Sequence, residues 1–399
     1  MDLSKLTLEI FSRLEQQWLL DCDVPSPSKK TRILSIDGGG GLRPLIAGEA
    51  LIRLEDSLIS SSGDPSARIS DFFDLISGSG LGALLAALLS ASASASDNRP
   101  LFSAREAVSF LRRSRREIFL SPTGFFRRRR KGRFSSRSLE SVLREAFRKG
   151  SDGRDLTLRD TCKPLLIPCY DLETSAPFVF SRADAAQSPS FDFDLWRVCR
   201  AASATPTQFE PFRFNSVDGR TTCTAVDGGL VMNNPAAAAV THVLHNKRDF
   251  PTVHGVDDLF LLSLGTGRGG GGRRSCSGPS VVEIAFDGVS DTVDQMLGNA
   301  FSFNPLDYVR IQANGVGSED EGASMEDVTE EGAERMRKVG ENMLKERGVE
   351  SLPFGGKRLL TETNGERIDG FVKRLVDIGK SLPPSPEKGN AVRSLVDGC

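Results

Sequence analysis

The segment FFDLISGSGLGALLAALL, from Phe72 to Leu89, constrains this chain more than any other. It reads as an apolar strand, a tight turn flanked by Gly78 and Gly82, and an apolar helix. That is the context of a G-x-S-x-G elbow, whose glycines permit the close approach that lifts the central side chain above a sheet. Here the central position, where serine belongs, is Gly80. Glycine adopts a strained apex at little cost, so the turn is expected to survive while the hydroxyl is lost. The neighbouring Ser79 faces elsewhere in such a turn, and a nucleophile displaced by one position misses its partners. Gly78, Gly80 and Ala83 also spell GxGxxA, with Asp97 at the spacing of a ribose-binding acid. That acid should end a second strand, however, and Ala91–Ser96 is an Ala/Ser tract without strand character. Leu75–Ser96 carries no charge, but its internal glycine turn argues for a buried strand and helix rather than a membrane span.

Two further stretches carry chemistry. Asp37-Gly38-Gly39-Gly40-Gly41-Leu42-Arg43-Pro44 follows a strand at Arg32–Ile36. Its glycines allow the backbone to turn tightly and aim N–H groups at one point, which suits an anion or oxyanion. It lacks the GK[ST] of a P-loop and the third glycine of a dinucleotide loop. Val226-Asp227-Gly228-Gly229 then places a carboxylate at a strand end, ahead of a helix that starts at Pro235.

Further strands are expected at Leu165–Cys169, Pro177–Phe180 and Leu259–Leu264. Helices are expected at Lys5–Leu20, Gly48–Leu58, Leu81–Leu89, Pro235–Leu244 and Met325–Arg347, the last with Met325, Val328, Met336, Val339 and Met343 on one face. Strands alternating with helices, and glycine turns at strand ends, argue an α/β fold with a mostly parallel central sheet and helices on both faces. Ala91–Asp97 reads as a flexible low-complexity loop. Residues 1–30 read as an N-terminal helical arm and Pro/Ser/Lys linker, 31–315 as the main domain, and 316–399 as a helical extension with a disordered tail from Ser381. The acidic N-terminal helix argues against a signal peptide. Seven cysteines, an odd number with no CxxC, favour reduced thiols in the cytoplasm over a disulfide framework or zinc site.

The three motifs in this order resemble the patatin-like phospholipases. RAASATPTQFEPF at Arg200 and SLGTG at Ser263 support the resemblance, and VDQMLGNAF at Val293 and YVRIQ at Tyr308 look like the plant branch. It spans Thr31 to Gln312. It implies a patatin-type three-layer sandwich and a Ser–Asp dyad, in which serine attacks an acyl carbonyl, aspartate takes its proton directly and the glycine loop stabilises the oxyanion. By the same resemblance Asp227 is the general base, Gly80 the nucleophile position, and Gly39, Gly40, Gly41 and Arg43 the oxyanion loop. Gly78, Ser79 and Gly82 complete the elbow. No histidine is needed, which fits a chain with only 3. His242 and His245 share a helix face but have no third ligand nearby, so they read as surface residues, and no metal or cofactor is expected. The loop departs from the family pattern by one extra residue between Asp37 and Arg43, and Pro44 stands where the family has glycine.

The resemblance implies a lipid acyl hydrolase family member acting on phospholipid or galactolipid acyl esters. Gly80 leaves two readings open: weak or non-standard activity, or an inactive lipid-binding or regulatory protein using the same pocket. Lys+Arg at 51 against Asp+Glu at 53 points to no specific nucleic-acid partner. Arg112, Arg113, Arg115 and Arg116 precede FFRRRRKGRF, in which Arg127, Arg128, Arg129, Arg130 and Lys131 offer contact with anionic headgroups. Such a run is as readily a solvated face. The expected location is cytoplasmic, peripheral at membranes.

Overall fold

The computed structural model describes residues 30–92, 99–121, 134–148, 153–206, 208–267, 281–313, 328–352 and 356–380. The expected N-terminal helix and linker, residues 93–97, the basic run at 127–131, Met325 and the tail from 381 lie outside them. Two compact units are distinguished, Lys30–Val376 and a second comprising Met1–Lys29 with Asp377–Cys399. The first contains everything below except the last four residues of the final helix.

In chain order its elements are β1 (Thr31–Ile36), α1 (Pro44–Ser62), α2 (Ile69–Phe72), β2 (Leu75–Gly78), α3 (Gly80–Leu88), α4 (Ala104–Ile118), α5 (Ser136–Ala146), β3 (Leu165–Asp171) and β4 (Ala176–Ser181). Then come α6 (Arg182–Gln187), α7 (Leu195–Ala202), β5 (Phe212–Asn215), β6 (Thr222–Asp227), α8 (Gly229–Met232), α9 (Ala236–His245), β7 (Leu259–Leu264), α10 (Val281–Ala300) and β8 (Tyr308–Ile311). The last four are α11 (Glu330–Lys345), β9 (Arg347–Leu352), β10 (Gly356–Thr363) and α12 (Asn364–Lys380).

Eight strands form one sheet in the order β5-β6-β3-β2-β1-β7-β8, with β4 added on β3. The run β3-β2-β1-β7-β8 is parallel, and its strands are near-continuous apolar runs because both faces are covered. On one face Ile33, Leu75, Leu166, Leu259 and Leu261 pack against Ala236, Ala239, Val240 and Val243 of α9 and Leu297 of α10. With α3 and α7 also lying against β3, the result is a three-layer α/β sandwich, as the sequence patterning indicates.

Registers set the site. Ile36 pairs with Gly78 on one side and Leu264 on the other, so β1, β2 and β7 end level and their following loops share one rim. Strand β3 has β4 along one edge over residues 166–171, so β2 and β6 share the other edge. There β2 pairs through Ser77 with Leu166, while antiparallel β6 arrives from the far end and stops with Asp227 opposite Cys169. The two strands therefore meet end to end, which brings Asp227 up to the elbow.

Several boundaries differ from the sequence expectation. The second strand begins at Leu75 rather than Phe72, because Asp71 accepts the Arg68 N–H (2.8 Å) with its side chain and donates its own amide to the Arg68 carbonyl (3.0 Å), closing the turn that starts the short α2. Pro44 at the first turn extends α1 ahead of Gly48. Helix α11 starts after Thr329, whose hydroxyl accepts from the Gly332 amide, and ends before Arg347, which opens β9. The segment after residue 315 thus contains a β-hairpin as well as helices, and α11 packs on α1 within the main unit. Arg112 and Arg115 of α4 are ion-paired with Glu330 of α11, so they tie helices together rather than extend a free basic face.

Candidate active site

The elbow forms where its sequence places it. Ser79 is extended (φ −120°, ψ 159°) and Gly80 turns to φ +51° before α3 begins. Gly78 and Gly82 are required by proximity. A Cβ on Gly82 would lie 2.3 Å from the Asp37 carbonyl oxygen, and one on Gly78 would lie 2.5 Å from that of Gly82. The apex points at Asp227: a Cβ on Gly80 would stand 3.6 Å from each carboxylate oxygen. A side-chain oxygen one bond further out would reach hydrogen-bonding distance of Asp227. A buried carboxylate therefore faces the apex of the elbow, which carries no side chain.

Asp227 is buried, 3% exposed. Its Oδ2 accepts from the Thr205 hydroxyl (2.7 Å) and its Oδ1 from the Gly229 amide (2.8 Å). Burial pushes its pKa up from 3.8 to about 6, with Thr205 and Gly229 holding it back. It is thus a base with affinity for a proton near neutrality, as general-base work requires. Since the folded pKa lies above the unfolded one, folding takes up a proton between the two values, and stability falls as pH rises from 3.8 to about 6. That rise corresponds to about 3 kcal/mol at neutral pH. Asp227→Asn is therefore expected to be more resistant to urea than wild type at about pH 8, with the difference closing towards about pH 4. A difference that widens on acidification would contradict the assignment.

Ser79 is a clamp. Its buried hydroxyl donates to the Asn233 carbonyl and accepts from the Gly38 amide (2.7 Å), joining elbow, glycine loop and the Asp227 loop at one atom. It is not aimed at Asp227. Ser79→Ala removes both of these buried hydrogen bonds, leaving the Gly38 amide only its longer bond to the Asn233 carbonyl (3.3 Å), and should cost about 1–3 kcal/mol in urea unfolding. A loss below about 0.5 kcal/mol, the range of an ordinary surface substitution, would show that the clamp is idle.

The glycine loop lies over the elbow, with Gly38 Cα 3.2 Å from the Cβ position of Gly80. The Gly38 amide is taken by Ser79. Those of Gly39, Gly40 and Gly41 donate to no acceptor among the described residues, nor do those of Leu81 and Gly82 at the start of α3. These are the groups that could receive an oxyanion. The extra residue is absorbed in a turn in which the Arg43 amide donates to the Gly40 carbonyl (3.4 Å), and Pro44 then starts α1. Arg43 itself is buried and its Nε donates to the Thr266 carbonyl (3.3 Å), so it braces the loop after β7.

Three supports escaped sequence reasoning. Thr205 lies within the ATPT stretch but was assigned no role. Asn233 donates to Ser290 (2.8 Å) and to the Phe286 carbonyl, which brings α10 over the Asp227 loop. Asp37 is forked by Arg310, Nη1 to Oδ1 at 2.8 Å and Nη2 to Oδ2 at 2.5 Å. Burial opposes the Arg310 charge, yet Asp37 more than offsets this and raises its pKa. The only advance signals were the polar residues themselves in otherwise apolar surroundings.

A model of the patatin-like phospholipases matches residues 34–240. Over the whole chain, and 99% of the relative, it is 58% identical to "Probable inactive patatin-like protein 9" of Arabidopsis thaliana. The chain belongs to the patatin-like phospholipase family. Another relative, "Patatin-like protein 6" of Arabidopsis thaliana, is 42% identical over 94% of this chain and 84% of its own length. Among solved structures, VipD from Legionella pneumophila matches at 12% identity and a TM-score of 0.29, covering 79% of this chain and 67% of that one, too distant to add to the fold assignment. Gly80 and Asp227, the two positions to which the sequence resemblance assigns a dyad, both lie within the matched residues. Asp97, on which the dinucleotide alternative turns, lies outside the described residues. His245 is exposed, and His242 is half-buried with its ring edge-on to Phe250. Among the described residues no three His, Cys, Asp or Glu side chains group as metal ligands.

Proposed function

We propose that this patatin-like protein holds acyl esters of phospholipids or galactolipids at the Gly80–Asp227 site and lacks acyl-enzyme chemistry. One observation carries the reading: the Cβ position of Gly80 is 3.6 Å from both oxygens of a buried carboxylate, and no hydroxyl stands there. The site is a base and an oxyanion loop without the atom they serve. Wild type is expected to bind an ether-linked, non-hydrolysable phospholipid while releasing little fatty acid from the ester. Failure to bind it would overturn the reading.

The raised pKa of Asp227 favours a second reading, slow turnover through water. Asp227 takes a proton from water as its oxygen attacks the acyl carbonyl, and returns the proton to the departing alkoxide. Such a route retains only the contribution of binding and oxyanion stabilisation, about 10³–10⁴-fold over water in a comparable serine hydrolase. Residual fatty-acid release that survives unchanged in Asp227→Asn would exclude it.

We place the protein in the cytoplasm, touching membranes peripherally through Arg127–Arg130 and Lys131. In support, Cys162, Cys169, Cys199 and Cys223 are free and buried. No described helix is long and apolar enough to cross a membrane. Neutralising Arg127–Arg130 should weaken binding to anionic vesicles, and unchanged binding would reject this contact. The partition at residues 30 and 315 remains our proposal for the domain organisation.

A further inference from the structure

A cavity of about 400 Å³ lies between the C-terminal half of α10, β8, the β9–β10 hairpin and α12. Its volume is that of a small-ligand site. No residue of the glycine loop, the elbow or the Asp227 loop lines it. Phe301, Tyr308 and Phe371 form an aromatic wall, and Leu306 lies on the lining while 65% exposed.

The charges around this wall are uneven. Arg310 is committed to Asp37, Arg358 to Glu350 and Arg374 to Asp307. Asp294 accepts the Tyr308 hydroxyl (2.8 Å), and Glu362 is exposed. Arg367 differs. Among the described residues its one side-chain hydrogen bond runs from Nη1 to the Arg310 carbonyl (2.6 Å), and no carboxylate there lies within ion-pair distance of it. Burial lowers its pKa, against the pull of Asp294, Glu350 and Glu362, which lie near enough to act on its charge without bonding it. An apolar wall beside an unpaired guanidinium fits one ligand class.

We propose that this cavity binds a single-chain amphiphile with an anionic head, its chain on Phe301, Tyr308, Phe371 and Leu306 and its head on Arg367. A carboxylate and a phosphate both satisfy the guanidinium, so a free fatty acid and a lysophospholipid share this chemistry.

The test uses the full chain, with laurate, dodecyl phosphate and dodecanol titrated by calorimetry. Gly370 lines the cavity from α12, and a Cβ there meets nothing within 4 Å, so Gly370→Phe fills the space without disturbing the helix. It should weaken both anionic ligands by about tenfold or more. Arg367→Gln keeps a donor for the Arg310 carbonyl and removes the charge. It should weaken laurate and dodecyl phosphate about tenfold while leaving dodecanol unchanged, since a charged hydrogen bond contributes about 1.5–3 kcal/mol. The tighter of the two anions identifies the head. Three results would overturn the proposal: no binding by wild type, binding indifferent to Gly370→Phe, or equal loss of dodecanol and laurate in Arg367→Gln. Circular dichroism of each variant confirms that losses are not unfolding.

Discussion

Gly80→Ser is expected to raise lipid acyl ester hydrolysis about 10³-fold or more over wild type. Removing the serine of a working hydrolase costs on the order of 10⁶ in turnover, while the oxyanion hole and binding retain about 10³–10⁴ over water. Restoring it recovers part of that gap wherever the remaining groups are already placed. Here Asp227 lies 3.6 Å from where the new Cβ would stand, the Gly39–Gly41 amides donate to no described group, and Ser79 already locks the loops together. The substitution carries a penalty. At φ +51° a side chain is strained, and Gly38 Cα at 3.2 Å must give by a few tenths of an ångström. A loss of about 1–3 kcal/mol of stability should accompany the gain. Because Asp227 must be ionised to accept the serine proton, turnover should rise with pH through about 6 and then level off. Fatty-acid release measured from about pH 5 to 9 checks the size and the profile together. No gain in a folded variant would mean that the loop geometry is not competent.

Arg310→Leu is expected to destabilise the protein by about 3–5 kcal/mol, because it leaves the Asp37 carboxylate buried without its counter-ion. Asp37 is 1% exposed and takes two bonds from Arg310. It also opens the glycine loop, so the loss should reach the site as well as the core. The paired variant Asp37→Leu with Arg310→Leu should recover much of the stability, since two apolar residues leave no unpaired charge. Urea unfolding of the three proteins measures this. A single variant within about 1 kcal/mol of wild type would show that Asp37 is neutral in the fold.

The elbow, the glycine loop and the aspartate were legible because each is a local pattern: an apolar strand running into glycines needs no distant partner to be recognised. Strand β7 was legible for the same reason, as a near-continuous apolar run, and β1 by its Ile33, Leu34 and Ile36 running into the glycines. What makes these pieces one site was not. Thr205 and Asp227 lie on separate segments, and the Asp37–Arg310 pair is 273 residues apart, so only the folded sheet joins them. The end-to-end meeting of β2 and β6 depends on β3 lending one edge to both, which no periodicity encodes. The β9–β10 hairpin was hidden by its composition, since Arg347–Thr363 is largely polar and lacks a clear alternation. At Phe72 the apolar run misled, because the turn closed between Arg68 and Asp71 won over strand propensity.

The central claim is that a formed site lacks one side chain, and covalent labelling tests it most directly. Wild type, Gly80→Ser and Gly80→Ser with Asp227→Asn are treated with a lipid fluorophosphonate and weighed intact by mass spectrometry. The account predicts one adduct on Gly80→Ser, none on wild type, and labelling slowed by about 10³-fold or more in the double variant, in which the base is lost. A stoichiometric adduct on wild type would contradict it, as would a folded Gly80→Ser that takes none.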